Sequence, residues 1–282
     1  MSTAIRIWVN GRLVGEDEPA LQALDHGVTV GDGAFETAKV VDGQVFAASR
    51  HVRRMDRTLA GLGLPPVDRD RLQEGIDAVL AAGEPIGFGR LRYTITGGPG
   101  PLGSDRGDAP QTYLVTASEV PRPPATTAIV TVPWVRNERA ATAGLKTTSY
   151  AENVIALAYA KERGGSEAIF ANTQGMLCEG TGSNVMVVRE GELWTPPLSD
   201  GPLAGITREL ALEWAREEGV GVRQESMPLQ VLTEADEVMI TSSTRDVQPV
   251  HRVDDRELAA PGPVTARLVE VFTRRGAERV DP

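Results

Sequence analysis

Three prolines within seven residues, in Glu119-Val-Pro-Arg-Pro-Pro-Ala125, mark a stretch that neither helix nor sheet can cross. Proline lacks the N–H donor and fixes φ, so both hydrogen-bonding ladders stop there. The chain is therefore expected to fold as two bodies: a smaller one over residues 1–118, a linker over 119–126 and a larger one over 127–282. A length of 282 residues, 41% of them hydrophobic and 24% charged, supplies apolar material for either one large core or two medium ones.

In the first body, Asn10-Gly11 lies between two extended runs and supplies the positive dihedrals of a tight hairpin. Asp42-Gly43 does the same between Phe35–Val41 and Gln44–Phe46. A helix follows, with Ser49 as its expected cap, Val52, Met55, Leu59 and Leu62 on one face, and Gly61 and Gly63 as its stop. A second helix over 68–82 turns Leu72, Ile76, Val79 and Leu80 inward, and residues 90–96 and 111–117 read as strands. Between those strands, the glycine- and proline-rich run 97–103 is expected to be a mobile loop, and it does not match a Walker phosphate loop.

The second body opens on a strand at 128–132. Ser149 and Glu152 then have the spacing of a capping box, which predicts a helix from Tyr150 to about Glu162, stopped at Gly164-Gly165. Strands are expected at 167–171, 182–188, 192–195 and 237–241, with an amphipathic helix over 207–218. The fold class is α+β: two α/β domains with unequal sheets, joined by a short linker. Internal repeats and low-complexity tracts are absent.

Several functions are disfavoured at once. A formal net charge of -10 repels nucleic acid and anionic membrane, so neither is an expected partner. Charged residues, glycines and prolines interrupt every apolar run before it reaches the length of a membrane span, and the first residues have no signal-peptide pattern. A cytoplasmic, soluble protein is the expectation. Cys178 is the only cysteine, so no internal disulfide forms. His26, His51 and His251 stand far apart without partners of metal-ligand type and read as structural; no metal is expected. Asp32 reads as a turn residue. The cluster Arg50, Arg53, Arg54 and Arg57 runs against the acidic background and suits a small anion.

Taken singly, the polar residues that carry chemistry have bland readings. Lys146 alone is a surface charge, yet it stands between Leu145 and a capped helix, a rigid and partly apolar mount that would keep an amine nucleophilic. Glu179 alone is a solvated loop carboxylate; its neighbours in Glu179-Gly-Thr-Gly-Ser-Asn184 are small enough for a flat ring to approach. Leu203-Ala-Gly-Ile-Thr-Arg208 opens a helix whose first amides suit a phosphate as well as they suit an ordinary threonine cap. Thr241-Ser-Ser-Thr244 adds hydroxyl and amide donors after a strand.

Together and in this order these segments resemble the fold type IV pyridoxal phosphate enzymes, the group of branched-chain and D-amino acid aminotransferases and 4-amino-4-deoxychorismate lyase. The resemblance spans nearly the whole chain. It rests on Gly31-Asp-Gly-Ala-Phe-Glu-Thr37, His51-Val-Arg-Arg54, Leu145-Lys146 with Asn153-Val-Ile-Ala, the Glu179 and Gly205-Ile-Thr-Arg208 segments, and Thr241-Ser-Ser-Thr with Pro249-Val250. It implies pyridoxal 5'-phosphate as cofactor, held by Lys146 as a Schiff base, with the lysine then shuttling a proton. It further implies that Glu179 pairs with the pyridine nitrogen, that Arg54, Ile206, Thr207 and Ser243 bind the phosphate, and that Tyr150 reaches the phenolic oxygen. A homodimer of two-domain subunits is implied as well.

The implied activity is transamination between a small amino acid, D-amino acids and (R)-amines included, and a 2-oxo acid. The lyase and a branched-chain L-amino acid aminotransferase are the alternatives, and a non-catalytic module is disfavoured by the presence of both Lys146 and Glu179. The D-amino acid enzymes hold the substrate carboxylate with an aromatic hydroxyl, an arginine and a histidine. Here Phe35 and Leu102-Gly-Ser104 stand in those places, so that trap is missing. Arg90 and Arg92, two apart on one strand face, or Arg245 beside Thr244, are the substitutes.

Overall fold

Both predicted turn pairs, Asn10-Gly11 and Asp42-Gly43, adopt positive φ in the computed structural model, which describes residues 4–282. The first joins strands β1 (Arg6–Val9) and β2 (Arg12–Val14); the second joins β3 (Gly33–Val41) and β4 (Gln44–Val45). A single turn, α1 (His26–Thr29), precedes β3. Helices α2 (Ala48–Leu62) and α3 (Arg69–Ala81) follow, then β5 (Phe88–Thr96) and β6 (Thr112–Glu119). Among the described residues these strands form a six-stranded antiparallel sheet in the order β2-β1-β6-β5-β3-β4.

Alternation along β3 and β5 divides that sheet into two chemically different faces. Ala34, Val40, Leu91, Tyr93 and Ile95 point into a core completed by Met55 and Leu59 of α2 and Leu72, Ile76 and Val79 of α3. Phe35, Thr37 and Lys39 occupy the other face, opposite Thr94, Arg92 and Arg90 in the β3–β5 register. This first unit comprises residues 4–122 and also takes in residues 145–149 and 280–282.

Three local expectations for it need correction. Ser49 does not cap α2: the cap position is Ala47, at φ 54°, and Ser49 sits in the first turn with its amide and hydroxyl donating to Asp281 Oδ1 at 3.1 and 3.0 Å. The carboxylate that serves this turn comes from the far end of the chain. Gly61 lies within α2 and only Gly63 ends it; a Cβ at 61 would stand 2.7 Å from a Leu145 methyl, so the glycine admits Leu145. The run 97–103 is tied down: Gly97 and Gly100 amides donate to the Asp32 and Leu24 carbonyls at 3.0 Å each, and His26 Nε2 lies 3.0 Å from the Pro101 carbonyl.

The second unit holds residues 123–144 and 150–279. Its elements are β7 (Thr127–Arg136), α4 (Ala151–Glu162), β8 (Glu167–Asn172), β9 (Leu177–Gly180), β10 (Asn184–Arg189) and β11 (Glu192–Thr195). They are followed by α5 (Ile206–Glu217), β12 (Val222–Gln224), α6 (Val231–Glu234), β13 (Glu237–Ser242), β14 (Asp246–Val253), β15 (Arg256–Glu257) and α7 (Pro263–Glu278). Among the described residues a nine-stranded mixed sheet runs β12-β11-β10-β13-β14-β7-β8-β9, with β15 on β14. Ile129, Ile169, Val185, Val187, Ile240 and Val250 form the middle of its core.

The predicted capping box at Ser149 and Glu152 is not made. Tyr150 is the cap position of α4 and no side chain caps it; Ser149 Oγ donates to the Gly31 carbonyl at 3.2 Å, and Glu152 pairs with Arg136 at 3.3 Å. No helix among the described residues is long and apolar enough to cross a membrane.

Candidate active site

Lys146 belongs to a short extended segment laid along the start of β3. Its carbonyl accepts from the Phe35 amide at 3.0 Å, Thr147 bridges Ala34, and the Thr148 amide donates to the Gly33 carbonyl at 2.8 Å. The Lys146 amide reaches Thr58 Oγ1 on α2 at 3.3 Å. With the backbone clamped on both sides, the side chain lies over the Phe35 ring, Nζ 4.4 Å from its centroid. The Arg92 guanidinium lies 3.8 Å from the same centroid. A partly buried lysine, an aromatic ring and an arginine are thus gathered on the non-core face of the six-stranded sheet. Arg90 shares that face and is exposed.

The core face of β3 holds a charged cluster that the sequence reading passed over. Glu36, 0% exposed, accepts from Arg54 Nε and Nη2 at 2.7 and 2.6 Å and stands 2.7 Å from His51 Nδ1. His51, Arg54 and Thr58 recur at three- and four-residue spacing, which sets them on one face of α2. Burial pushes the Glu36 carboxyl up, but the Arg54 charge and the hydrogen bonds from Arg54 and His51 outweigh it and bring the pKa down to about 2. His51 moves below its ordinary value: burial dominates, Glu36 opposes, and Arg54 and Lys146 add repulsion. At neutral pH the ring is uncharged and its Nδ1 proton is donated to Glu36. A carboxylate at an inward position of a strand demands a cation, so the pattern of Glu36 with His51 and Arg54 was the signal available in the sequence.

In the second unit Glu179 lies on β9 with its side chain 14% exposed. Its Oε2 accepts from the Leu203 amide at 2.9 Å, and its Oε1 is 3.5 Å from Nε of Arg136, a residue that the sequence did not single out. The Leu203 carbonyl in turn accepts from Asn184 Nδ2 at 2.8 Å. Two residues further on, Gly205 is the cap position of α5. A Cβ there would fall 1.9 Å from Asn184 Oδ1, so only glycine fits. No side chain caps α5, which leaves the first amides, those of Ile206 and Thr207, without a side-chain acceptor. Thr241, the register partner of Asn184 on β13, is 1% exposed and its hydroxyl has no hydrogen-bond partner among the described residues.

The other expected site residues are distributed as follows. Tyr150 stands at the start of α4. Ser243 and Thr244 form the turn between β13 and β14. Arg245 is turned toward structure, donating to Ser166 Oγ at 3.0 Å and Gln248 Oε1 at 2.7 Å. His26 and His251 make local hydrogen bonds, and Asp32 pairs with Arg106 through two contacts of 2.7 and 2.6 Å. No group of three or more metal-ligating side chains is found among the described residues.

The family model for amino-transferase class IV matches residues 33–253. The chain belongs to the class IV aminotransferases. A D-alanine aminotransferase of Listeria monocytogenes is 29% identical to it, over 98% of this chain and 99% of that one. An aminodeoxychorismate lyase of Bacillus subtilis is also 29% identical, over 88% and 87%. Among solved structures, a branched-chain aminotransferase of Thermoproteus uzoniensis crystallised with norvaline superposes at a TM-score of 0.87, with 28% identity over 96% and 94% of the two chains.

Class IV aminotransferases work with pyridoxal 5'-phosphate, and the residues of this one fit it. The cofactor presents an aldehyde, a basic ring nitrogen and a dianionic phosphate. The first unit offers a lysine fixed through its backbone. The second offers a carboxylate held by an amide, and beside it uncapped helix amides next to a buried hydroxyl lacking a partner. A helix start of that kind is an anion site by construction.

Proposed function

We propose that this aminotransferase moves an amino group between a small amino acid, with D-amino acids among the candidates, and a 2-oxo acid, and that Lys146 is its catalytic residue. The observation that carries the reading is the clamped Lys146 with its amine over Phe35, beside Arg92. When bound, pyridoxal phosphate supplies an electron sink that lowers the barrier to removing the proton from the substrate α-carbon. Lys146 would hold the cofactor through its side-chain amine, and the same amine, once free, is the base placed to move the substrate α-proton. Glu179 would meet the ring nitrogen and favour its protonated form. Arg54, the amides of Ile206 and Thr207, and Ser243 are the residues that would hold the phosphate, and Tyr150 the one that would serve the phenolic oxygen.

For the substrate, Arg92 is the carboxylate ligand that the side-chain directions favour, with Arg90 and Thr244 nearby in role and Phe35 as the apolar wall. Arg245 is the weaker candidate because its guanidinium already serves Ser166 and Gln248. The domain reading of residues 1–118, 119–126 and 127–282 is part of this proposal, with residues 145–149 and 280–282 assigned to the first domain. So is a homodimer: Trp134, Val135, Val154 and Ile155, on β7 and on α4 which packs against it, are 44 to 67% exposed, an apolar surface suited to a second copy. A single buried cysteine suits a cytoplasmic location.

The test is spectroscopic. D-alanine, D-glutamate and L-leucine are each added to the holoenzyme, and loss of its visible absorbance with release of the matching 2-oxo acid identifies the donor. Pyruvate release from aminodeoxychorismate with the absorbance unchanged assigns the lyase reaction instead. Borohydride reduction followed by peptide mapping locates the covalent link; an adduct on any lysine other than Lys146 overturns the assignment.

A further inference from the structure

Arg136 ends β7, and the strand order β7-β8-β9 brings it, Phe170 of β8 and Glu179 of β9 into adjacent positions. Its guanidinium lies 4.2 Å from the Phe170 ring centroid. One terminal nitrogen donates to Glu152 at 3.3 Å and the other to Asn153 Oδ1, which fixes the group against the start of α4. The remaining nitrogen, Nε, is buried, has no hydrogen-bond partner among the described residues, and points its charge at Glu179 Oε1 from 3.5 Å. The arrangement needs arginine specifically. A flat group stacks on the ring while its fork reaches two acceptors, whereas an ammonium on a flexible stem does one or the other.

We propose that Arg136 is the positioning residue for Glu179, keeping its carboxylate ionised and fixed in orientation. The proposal rests on the reading above that Glu179 meets the ring nitrogen. A cation this close, with both side chains less than a fifth exposed, is weakly screened and favours the charged form of the acid. The Leu203 amide holds Oε2 at 2.9 Å, so Arg136 and a backbone donor restrain the two oxygens separately. Cys178, next in sequence, senses the same pair: burial raises its thiol pKa, the Glu179 charge raises it further, and Arg136 opposes both. Without Arg136 the carboxyl group takes up a proton at higher pH, and a neutral acid holds the ring nitrogen protonated less well.

The experiment compares wild type with Arg136→Gln and Arg136→Lys in two states. In apoprotein carrying 13C-labelled glutamate, with the Glu179 carboxyl signal assigned through Glu179→Gln, its titration midpoint should rise by roughly one pH unit in R136Q and by less in R136K. In the holoenzyme, R136Q should shift the pH dependence of the visible absorbance and lower kcat at least tenfold, with KM changed less than threefold. R136K should recover part of both. Thermal melting of each variant controls for folding, since a merely structural arginine would move the melting point and leave the carboxyl midpoint where it was. An unmoved midpoint in folded R136Q or R136K apoprotein overturns the proposal. A moved midpoint with visible absorbance unaltered in both R136Q and E179Q overturns the ring-nitrogen reading, and with it the catalytic half of the proposal.

Discussion

Replacing Glu36 by Gln removes the charge around which Arg54 and His51 are packed, and the size of the effect can be worked out in two ways. The carboxyl pKa falls from an ordinary 4.5 to about 2 in the folded protein. At about 1.4 kcal/mol per pH unit, that difference stabilises the fold by about 3 kcal/mol at neutral pH. Independently, removing one partner of a buried ion pair typically costs about 3–5 kcal/mol, because the other charge is left buried. The sign follows from a depressed acid: its contribution is complete above pH 4.5 and is lost as pH falls toward 2. Urea unfolding of the apoprotein is the assay, since cofactor binding adds stability of its own. E36Q should lose about 3 kcal/mol at pH 7, with the slope against urea unchanged, and should show a weaker pH dependence below pH 4.5 than wild type. Arg54→Met added to E36Q should restore much of the loss, as apolar replacements of buried pairs often do. A loss below about 1 kcal/mol, or a double variant worse than E36Q, refutes the reasoning.

Gly205→Ala should abolish high-affinity cofactor binding, measured by absorbance titration, because a methyl group 1.9 Å from Asn184 Oδ1 forces the start of α5 to move. Thr241→Val should raise the apoprotein's urea midpoint by about 1 kcal/mol equivalent, by removing a buried hydroxyl without a partner. The same variant should weaken cofactor binding; equal affinity in calorimetry would show that the hydroxyl faces away from the cofactor. Glu237→Gln should cost about 1 kcal/mol in thermal unfolding, since Glu237 accepts from the Val264 and Thr265 amides at 3.0 and 2.7 Å and so caps α7.

Local chemistry was readable in the sequence wherever the controlling partners were neighbours in the chain. The two hairpins, the 3.6-residue periodicity of α2 and α3 and the glycine stop of α4 all depend on residues a few positions apart, and all three formed. The two predicted caps failed because the partners are remote: Asp281 serves the first turn of α2, and Ser149 bonds Gly31 in place of its own helix. Strands β9 and β14 and helix α7 went unread for a related reason. Leu177–Gly180 carries no alternation, Asp246–Val253 contains a proline, and Gly262-Pro263 offers no side-chain cap. In the candidate site, Lys146 and Glu179 stood out through their motifs. Arg136 did not, because its only distinction is a strand order that sequence spacing cannot reveal.

The placement of residues 280–282 in the first unit bears on how the protein is made. The Ala47 amide donates to the Val280 carbonyl at 2.8 Å, Ser49 to Asp281, and Arg50 Nε to the Pro282 carbonyl at 2.9 Å. A ribosome has to translate more than two hundred further codons after α2 has been synthesised before these acceptors exist. During that interval the opening turn of α2 relies on water, and domain-by-domain folding during synthesis leaves this stitch until residues 280–282 have been made. Deletion of residues 280–282 would thus be felt at a helix encoded more than two hundred codons upstream.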